Sequence, residues 1–395
     1  MKRSLRSLSL PLLLFLFLLA SVAFRSVIFP SFLFCQSYPQ NRNIYIDAPL
    51  LSLSLHEPAD SSLQTDIFDL LQASLESFDT IGGKYRTFSL WRGISSDESV
   101  RPRSLARIRL PVRTGTRYPP DRRVILPLFR HSLATWARSH NAELSFSVMS
   151  ELTQLVKRPI EIFNGLKDSS EPYSTCAVVG NSGILLGSNH GELINSHEFV
   201  IRLNNARVTG YVRDVGSKTS LSFVNSNILH LCTRRVGCQC HPYGENVPIA
   251  MYMCQPRHFL DYVVCNSSHK APLLITDPRF DNLCARITKY YSLKRFAYST
   301  GLSPTRWNET HDETTFHYSS GFQAVMLALG ICKRVSSFGF GKIKSAKHHY
   351  HSNQKAELDL HDYEAEYMIY QDLIKQPKTI PFLAGFRAPP LVFYH

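Results

Sequence analysis

The sequence predicts an α/β fold in which a mostly parallel sheet is covered by helices on both faces. From residue 176 onward, short apolar and β-branched runs alternate with helical patterns, and strands separated by helices usually pair in parallel. The first of these runs, Ala177-Val-Val179, leads directly into the turn Gly180-Asn-Ser-Gly183. Many α/β proteins bind nucleotide phosphates at a glycine-rich turn after a strand. We therefore predict a Rossmann-like sheet with a phosphate site at this turn.

The spacing of apolar residues predicts the individual elements. Strands are expected at Ala177–Val179, Val200–Leu203, Leu221–Val224, Ile249–Met253, Leu273–Ile275 and Val335–Phe340. Helical periodicity is found at residues 133–137, 144–156, 321–332 and 358–374. Four prolines after residue 376 predict that the chain ends as an extended strap.

The N-terminus predicts a membrane anchor. Leu8 to Phe24 form 17 residues without charge, preceded by Lys2, Arg3 and Arg6, which is near the lower limit for a spanning helix. Basic flanks stay on the cytoplasmic side, so residues 1–7 are predicted as a cytoplasmic tail, 8–24 as the transmembrane segment and the remainder as luminal. The alternative is a cleaved signal peptide with its small-residue site at Ser21-Val-Ala23.

The basic charge is concentrated in one segment. The net charge is +13, and residues 101–138 contain ten arginines, five prolines and a single acidic residue, Asp121. Prolines prevent a long basic helix, so residues 25–130 are predicted as a poorly structured luminal stem with one short amphipathic helix near residues 67–75. The folded domain is predicted over residues 131–395. We expect no nucleic-acid partner.

The cysteines and two glycosylation sequons agree with an oxidising compartment. Eight of the nine cysteines lie between Cys176 and Cys332 and permit four disulfides. Zinc binding by the group around residues 232–254 is the alternative, although it lacks paired Cys-x-x-Cys motifs. The remaining Cys35 could join two chains. Asn266 and Asn308 begin Asn-x-Ser/Thr sequons.

Four polar elements are candidates for chemistry. They are the turn containing Asn181 and Ser182 with Asn204 at the end of the next strand; His317-Tyr-Ser-Ser-Gly321 before a helix; Gly341 with His348-His-Tyr-His351; and His361-Asp-Tyr-Glu-Ala-Glu366. Ser320 is predicted as an N-cap, which alone has no functional meaning. His349 and His351 could bind a metal, but no further ligand stands at an obvious spacing. His361 could equally be a solvated residue at a helix start.

Together these elements resemble the sialyltransferase family, glycosyltransferase family 29. Residues 176–220 are similar to its large motif, with C-A-V-V-G-N-S-G, H-x-x-V-x-R-x-N and D-V-G-x-K-T. Ser319 to Gly341 resembles the small motif, His348-His-Tyr the third and His361-x-x-x-x-Glu366 the very small one. The details are most similar to plant members. Asn195 and Arg207 stand where animal members usually have Asp and Pro.

The resemblance implies roles for individual residues. The donor-binding residues would be Asn181, Ser182, Asn204, Ser319, Ser320, Gly321 and Gly341. His349 would donate a hydrogen bond to the leaving phosphate, and His361 would be the general base of an inverting displacement. Cys176 and Cys332 would form a disulfide. No metal is expected, and the chain contains no Asp-x-Asp carboxylate pair.

The resemblance also implies a GT-A-type glycosyltransferase of the Golgi membrane with a luminal catalytic domain. Its substrates would be a nucleotide-sugar donor and a glycan or proteoglycan acceptor. Similarity to plant members favours galactose transfer onto arabinogalactan in β-1,6 linkage. The alternatives are a sialic-acid-like sugar from a CMP donor, or a non-catalytic scaffold. A homo-oligomer or a complex with other Golgi glycosyltransferases is also expected.

Overall fold

Seven parallel strands form a single sheet at the centre of the protein, in a computed structural model of the chain. The structure describes residues 47–55, 61–72, 122–140, 147–166, 170–228, 242–266, 269–313, 316–341, 343, 345–352, 361–383 and 385–394. The strands are β1 (Cys176–Val179), β2 (Phe199–Leu203), β3 (Leu221–Asn225), β4 (Ile249–Tyr252), β5 (Leu273–Ile275), β6 (Val335–Phe338) and β7 (Leu391–Tyr394). All the pairings between them are parallel, so the predicted α/β class with a parallel sheet is confirmed.

The order of the strands reverses once. Across the sheet it reads β5-β4-β3-β2-β1-β6-β7, so the chain builds outward from β1 to β5 and then returns to place β6 on the other side of β1. Strands β1 and β2 are buried along their whole length, because helices cover both faces of the sheet. Their apolar runs therefore lack the alternation of a half-exposed strand.

Eleven α-helices are defined within the described residues. They are α1 (Ala48–Leu55), α2 (Ser61–Gln72), α3 (Arg122–His140), α4 (Val148–Leu152), α5 (Arg158–Phe163), α6 (Gly191–Asn195), α7 (Val212–Val215), α8 (Phe259–Asn266), α9 (Pro278–Thr300), α10 (Ser320–Ile331) and α11 (Tyr363–Lys375). A π-helical turn, Thr153–Lys157, joins α4 to α5. Helix α10 is apolar on nearly every side, because it packs between the sheet and α4.

Helical segments also occur where the sequence predicted an irregular stem. Within residues 25–130, α1 is helical and α3 begins at Arg122, so the prediction of an irregular stem was wrong for these parts, whereas α2 overlaps the short helix predicted near residues 67–75. Leu126, Phe129 and Leu133 of α3 are buried, and their spacing forms one apolar face. Burial of this face outweighs the backbone hydrogen bond that Pro127 removes from the helix. The rest of the predicted stem lies outside the described residues.

The predicted C-terminal strap contains a seventh strand. Leu391 pairs with Val335, and the ladder continues to Tyr394 opposite Phe338. Prolines cannot donate to a ladder, but Pro389 and Pro390 precede the strand, and the Pro390 carbonyl accepts the first bond from Val335 N at 2.9 Å. An apolar tetrapeptide after two prolines can therefore complete the edge of the sheet.

One predicted disulfide is present. Cys176 at the start of β1 is bonded to Cys332 just after α10, across 156 residues. Two of the other cysteines that were predicted to be available for bridges, Cys254 and Cys284, are free thiols.

The predicted membrane anchor at residues 8–24 lies outside the described residues. Among the residues that are described, no helix is long and apolar enough to cross a membrane.

The Cys176–Cys332 bridge should contribute about 2–4 kcal/mol to the free energy of unfolding, because it closes a long loop. We expect Cys176→Ser, Cys332→Ser and the double variant to lose similar amounts, since each removes the same bridge once. Chemical denaturation of the three variants measures this. Additive losses in the double variant would show that the two cysteines act independently. Cys254→Ser is the control, because that thiol is unbridged.

Candidate active site

The reversal of strand order brings two distant turns side by side. Beyond the carboxyl ends of β1 and β6, the Gly180 N–H donates to the Phe338 carbonyl at 2.7 Å. Ser182 Oγ lies 3.1 Å from the Gly341 carbonyl, to which it donates. A β-carbon at Gly180 would stand 2.7 Å from the Gly339 oxygen, so a side chain there would separate the turns. In open α/β sheets, ligands bind in the crevice at such a switch point.

The histidine-rich segment is fixed to the first turn by backbone hydrogen bonds. Gly183 N donates to the Lys347 carbonyl at 2.9 Å, and Tyr350 N donates to the Asn181 carbonyl at 2.8 Å. These bonds hold His349 against the glycine turn. The Oδ1 atom of Asn181 is buried without a hydrogen-bond partner within the described residues. Because a buried acceptor is costly unless paired, this oxygen is suited to a ligand hydroxyl.

Asn204 ends β2 with a left-handed backbone, at φ 51°. Its N–H donates to the Phe223 carbonyl at 2.7 Å, and its side-chain oxygen accepts from Asn225 N at 3.0 Å. The side chain therefore joins the ends of β2 and β3, and its N–H₂ donors remain for a ligand. Its predicted contact with the nucleotide stays a prediction.

The segment before α10 is capped by Ser319, whereas the sequence favoured Ser320. Ser319 Oγ accepts from Phe322 N at 3.1 Å and donates to Glu366 at 2.6 Å. Its hydroxyl is thus engaged by the protein on both sides, while Ser320 is partly exposed at the first helical position. A β-carbon on Gly321 would lie 3.0 Å from the Phe340 ring. The start of α10 therefore packs closely on the turn after β6.

Glu366 is a residue to which sequence reasoning gave no role. Its carboxylate accepts from both the N–H and the hydroxyl of Ser319, each at 2.6 Å, and the side chain is buried. A carboxylate near a helix N-terminus is also favoured by the helix dipole. Helix α11 is thereby joined to the start of α10. The sequence signal that could have identified Glu366 is its position in the motif His361-x-x-x-x-Glu366.

His361 has a defined tautomer. Its Nδ1 lies 2.6 Å from the His317 carbonyl oxygen, which can only accept, so Nδ1 carries the proton and Nε2 has the free lone pair. Burial lowers the pKa of His361 below its ordinary 6.5, and the nearby His348 lowers it further, although the bond to His317 opposes both. His361 is therefore neutral and able to accept a proton near pH 7.

The backbone on both sides of His361 is fixed by buried polar contacts. Asp362 caps α11 by accepting from Ala365 N at 3.1 Å. Burial raises the pKa of Asp362, but hydrogen bonds from His311 and Ser292 and the charge of Arg295 lower it overall. The Nε atom of Arg295 lies 3.0 Å from this carboxylate. The ionised Asp362 therefore holds the start of the helix and the adjacent His361.

His317 and Tyr252 form a second layer that sequence reasoning missed. The Nε2 of His317 is hydrogen-bonded to the Tyr252 hydroxyl at the end of β4. Burial lowers the pKa of His317 to about 4, so its ring is neutral. The carbonyl that orients His361 thus belongs to a residue whose ring is anchored to the sheet. No periodicity in the sequence indicates this contact.

Aromatic rings connect the two predicted catalytic histidines. His349 lies 4.4 Å from His348 between ring centroids. His348 lies 5.8 Å from Tyr363, and Tyr363 lies 5.5 Å from His361. Burial, followed by the charges of His348 and His351, lowers the pKa of His349 to about 4. The structure therefore connects His349 and His361 through the rings of His348 and Tyr363.

Two further predictions concern a metal site and N-glycosylation. Within the described part of the chain, no three His, Cys, Asp or Glu side chains are grouped to hold a metal ion. Asn266 and Asn308 are both exposed, and Asn308 Nδ2 donates to Glu313 at 3.1 Å. Their glycosylation remains a prediction.

Comparison with known proteins gives consistent matches. The model of glycosyltransferase family 29 (sialyltransferase) matches residues 129–378. A β-1,6-galactosyltransferase of Arabidopsis thaliana is 46% identical over all of both chains. Sialyltransferase-like protein 1 of Oryza sativa subsp. indica is 46% identical over 89% of this chain and 88% of its own. A crystal structure of a mammalian sialyltransferase is 23% identical over 67% of this chain and 84% of its own, with a TM-score of 0.37.

The protein is a glycosyltransferase. It belongs to glycosyltransferase family 29, the sialyltransferase family.

Glu366→Gln should destabilise the protein by about 1–3 kcal/mol, because an amide nitrogen cannot accept from Ser319 and a buried donor is left unpaired. Thermal and chemical denaturation would measure the loss. Glu364→Gln on the exposed face of the same helix should be neutral. Equal effects of the two changes would contradict the role of Glu366 in joining α11 to α10.

His361→Ala should lower turnover by about 10²–10⁴-fold, the usual contribution of a general base. The proposed base must be unprotonated, and its pKa is lowered. The decrease in wild-type kcat on the acid side should therefore occur below pH 6.5. Donor affinity should not change. The control is His131→Ala on the exposed side of α3; retained turnover in His361→Ala would remove this residue as the base.

Proposed function

We propose that the protein transfers galactose from UDP-galactose to arabinogalactan chains, forming a β-1,6 linkage with inversion. The support for this sugar is the Arabidopsis thaliana relative named a β-1,6-galactosyltransferase, which is 46% identical over the full length of both chains. UDP-galactose carries its sugar in α linkage, so a β product requires inversion, which a single displacement provides.

The orientation of His361 is the observation on which the chemistry rests. With Nδ1 donating to the His317 carbonyl, Nε2 is free to remove the proton from an acceptor hydroxyl. The acceptor oxygen then attacks the anomeric carbon as the bond from that carbon to the phosphate oxygen breaks. The proton remains on His361, and the electron pair of the broken bond leaves with the nucleotide. The proton transfer in this step requires a single base, His361.

The leaving phosphate needs fixed positive potential, and this chain offers it without a metal. The proposed donors are the start of α10 and His349, which is held beside the glycine turn through Gly183 and Tyr350. The anionic phosphate would raise the pKa of His349, so a proton on its ring would strengthen the contact. The sequence lacks an Asp-x-Asp pair for a divalent ion, which supports a metal-independent reaction.

We also propose the finer assignments of fold and location. The sheet would be a GT-A-type variant, and residues 8–24 would anchor a type II protein in the Golgi membrane with residues 131–395 as the luminal catalytic domain. The uncharged N-terminal run and the two exposed sequon asparagines support this orientation.

A donor screen tests the proposal. Purified full-length protein in detergent should transfer galactose from UDP-galactose to arabinogalactan oligosaccharides, and EDTA should leave the rate unchanged. CMP-sialic acid with galactosylated glycans should give no product. Turnover with CMP-sialic acid alone would reverse the donor assignment, loss of activity in EDTA would refute the metal-free mechanism, and no turnover with either donor would favour a scaffold.

A further inference from the structure

The carboxyl end of β2 contains a buried guanidinium that has no acidic partner among the residues that the structure describes. Arg202 is 1% exposed. Its Nε donates to the Lys218 carbonyl and to the Thr219 hydroxyl, both at 3.0 Å, while both terminal nitrogens are buried without a hydrogen-bond partner among the described residues. A buried charge is normally paired. Within the described residues no carboxylate forms an ion pair with Arg202, so its positive charge is available to the surrounding site.

A second arginine lies on the loop that continues from this strand. Arg207 is exposed and forms no ion pair within the described part of the chain. Its carbonyl accepts from the Tyr350 hydroxyl at 2.7 Å, and Tyr350 N donates to the Asn181 carbonyl at 2.8 Å. One tyrosine thus connects the Arg207 loop to the glycine turn at the switch point.

Arg207 lies close to His351, the ring that is stacked on His349. Burial lowers the pKa of His351, and Arg207 lowers it further. The His351 ring is stacked parallel to that of His349, with centroids 5.5 Å apart, and its Nε2 is buried without a partner among the described residues. The pKa of His361 has other causes, namely burial, His317 and His348. The hydrogen bonds of Tyr350 to Arg207 and Asn181, together with the stacked His351 and His349 rings, place the Arg207 loop beside the glycine turn.

We propose that Arg207 forms a subsite for the β-phosphate of a nucleoside diphosphate donor, the phosphate that leaves the sugar, and that the buried charge of Arg202 on the preceding strand adds positive potential. This inference rests on the proposed function and goes further by naming residues that select the donor class. A guanidinium matches two phosphate oxygens at once and keeps its charge. A nucleoside monophosphate donor places no second phosphate there. The carboxylate of an acidic sugar is the other anion that a guanidinium could bind, and titration with CMP-sialic acid distinguishes it from a phosphate.

Isothermal titration calorimetry of the full-length protein with UDP, UMP, CMP and CMP-sialic acid tests the subsite. Wild type should bind UDP at least about tenfold more tightly than UMP, because a charge-assisted hydrogen bond contributes roughly 1.5–3 kcal/mol and about 1.4 kcal/mol is tenfold. Arg207→Gln should abolish this preference and leave UMP binding unchanged. The matched control is Arg334→Gln, since Arg334 is exposed just before β6 at the opposite, amino edge of the sheet. It should retain the preference.

The outcomes separate the subsite from the nucleotide site itself. If wild type binds UMP and UDP equally, the subsite is refuted while the nucleotide site stands. If Arg207→Gln weakens UMP and UDP alike, Arg207 contributes only general attraction, and the second-phosphate assignment is also refuted. If CMP-sialic acid binds more tightly than CMP and only that gain is lost in Arg207→Gln, the bound anion is a carboxylate. If no nucleotide binds, the proposed function fails together with the inference.

Discussion

The pairing of strand β1 with strand β6 is the contact on which the site depends. Cys176 pairs with Val335 although more than 150 residues separate them, and the neighbouring Cys176–Cys332 disulfide closes the same loop covalently. Because parallel strands end at the same edge, the turns after β1 and β6 must meet. The hydrogen bond from Gly180 to Phe338 then leaves no room for a side chain at residue 180. A crevice lined by two glycine turns follows from this one pairing.

Helix α11 joins the start of α10 and His361 into a single unit. Glu366 binds the backbone and hydroxyl of Ser319 at the start of α10, and His361 binds the carbonyl of His317, two residues earlier. Both contacts reach the segment 317–319, one from the residue just before the N-cap of α11 and one from its first turn. A shift of α11 would therefore displace His361 and loosen the start of α10 together. This coupling explains why a buried, desolvated carboxylate is tolerated there, since both of its oxygens are satisfied.

Local pattern predicted most of the sheet, but long-range packing decided the remainder. Six strands were located within two residues of their observed bounds, because buried parallel strands are short apolar runs with clear breaks. The strand Leu391–Tyr394 was not predicted, because two prolines precede it. Prolines are compatible with an edge strand, but the sequence does not show that this segment lies at the edge of the sheet. Helix α3 was truncated because Pro127 counts against a helix locally, whereas the buried Phe129 and Leu133 favour it.

The candidate site was predictable where a residue acts through its own chemistry, and unpredictable where it acts through a partner. His349 and His361 were identified by residue type and motif, and the structure places them in one cluster. Tyr252 and His317 contribute through a contact between β4 and the segment before α10, which the one-dimensional sequence does not contain. Ser319 was assigned to the donor, yet its hydroxyl is already engaged by Phe322 and Glu366.

The buried imidazoles also suggest why the two halves of the proposed reaction belong in one crevice. His317 and His349 have pKa values of about 4, because burial disfavours their charged forms, and His361 is shifted in the same direction. A proton taken up by His361 alone would therefore create an unfavourable buried charge. In the proposed displacement, negative charge develops on the departing phosphate in the same step, at the other end of the ring cluster. Opposite charges that appear together in a low-dielectric site stabilise each other, so deprotonation of the acceptor becomes favourable only when a donor is bound.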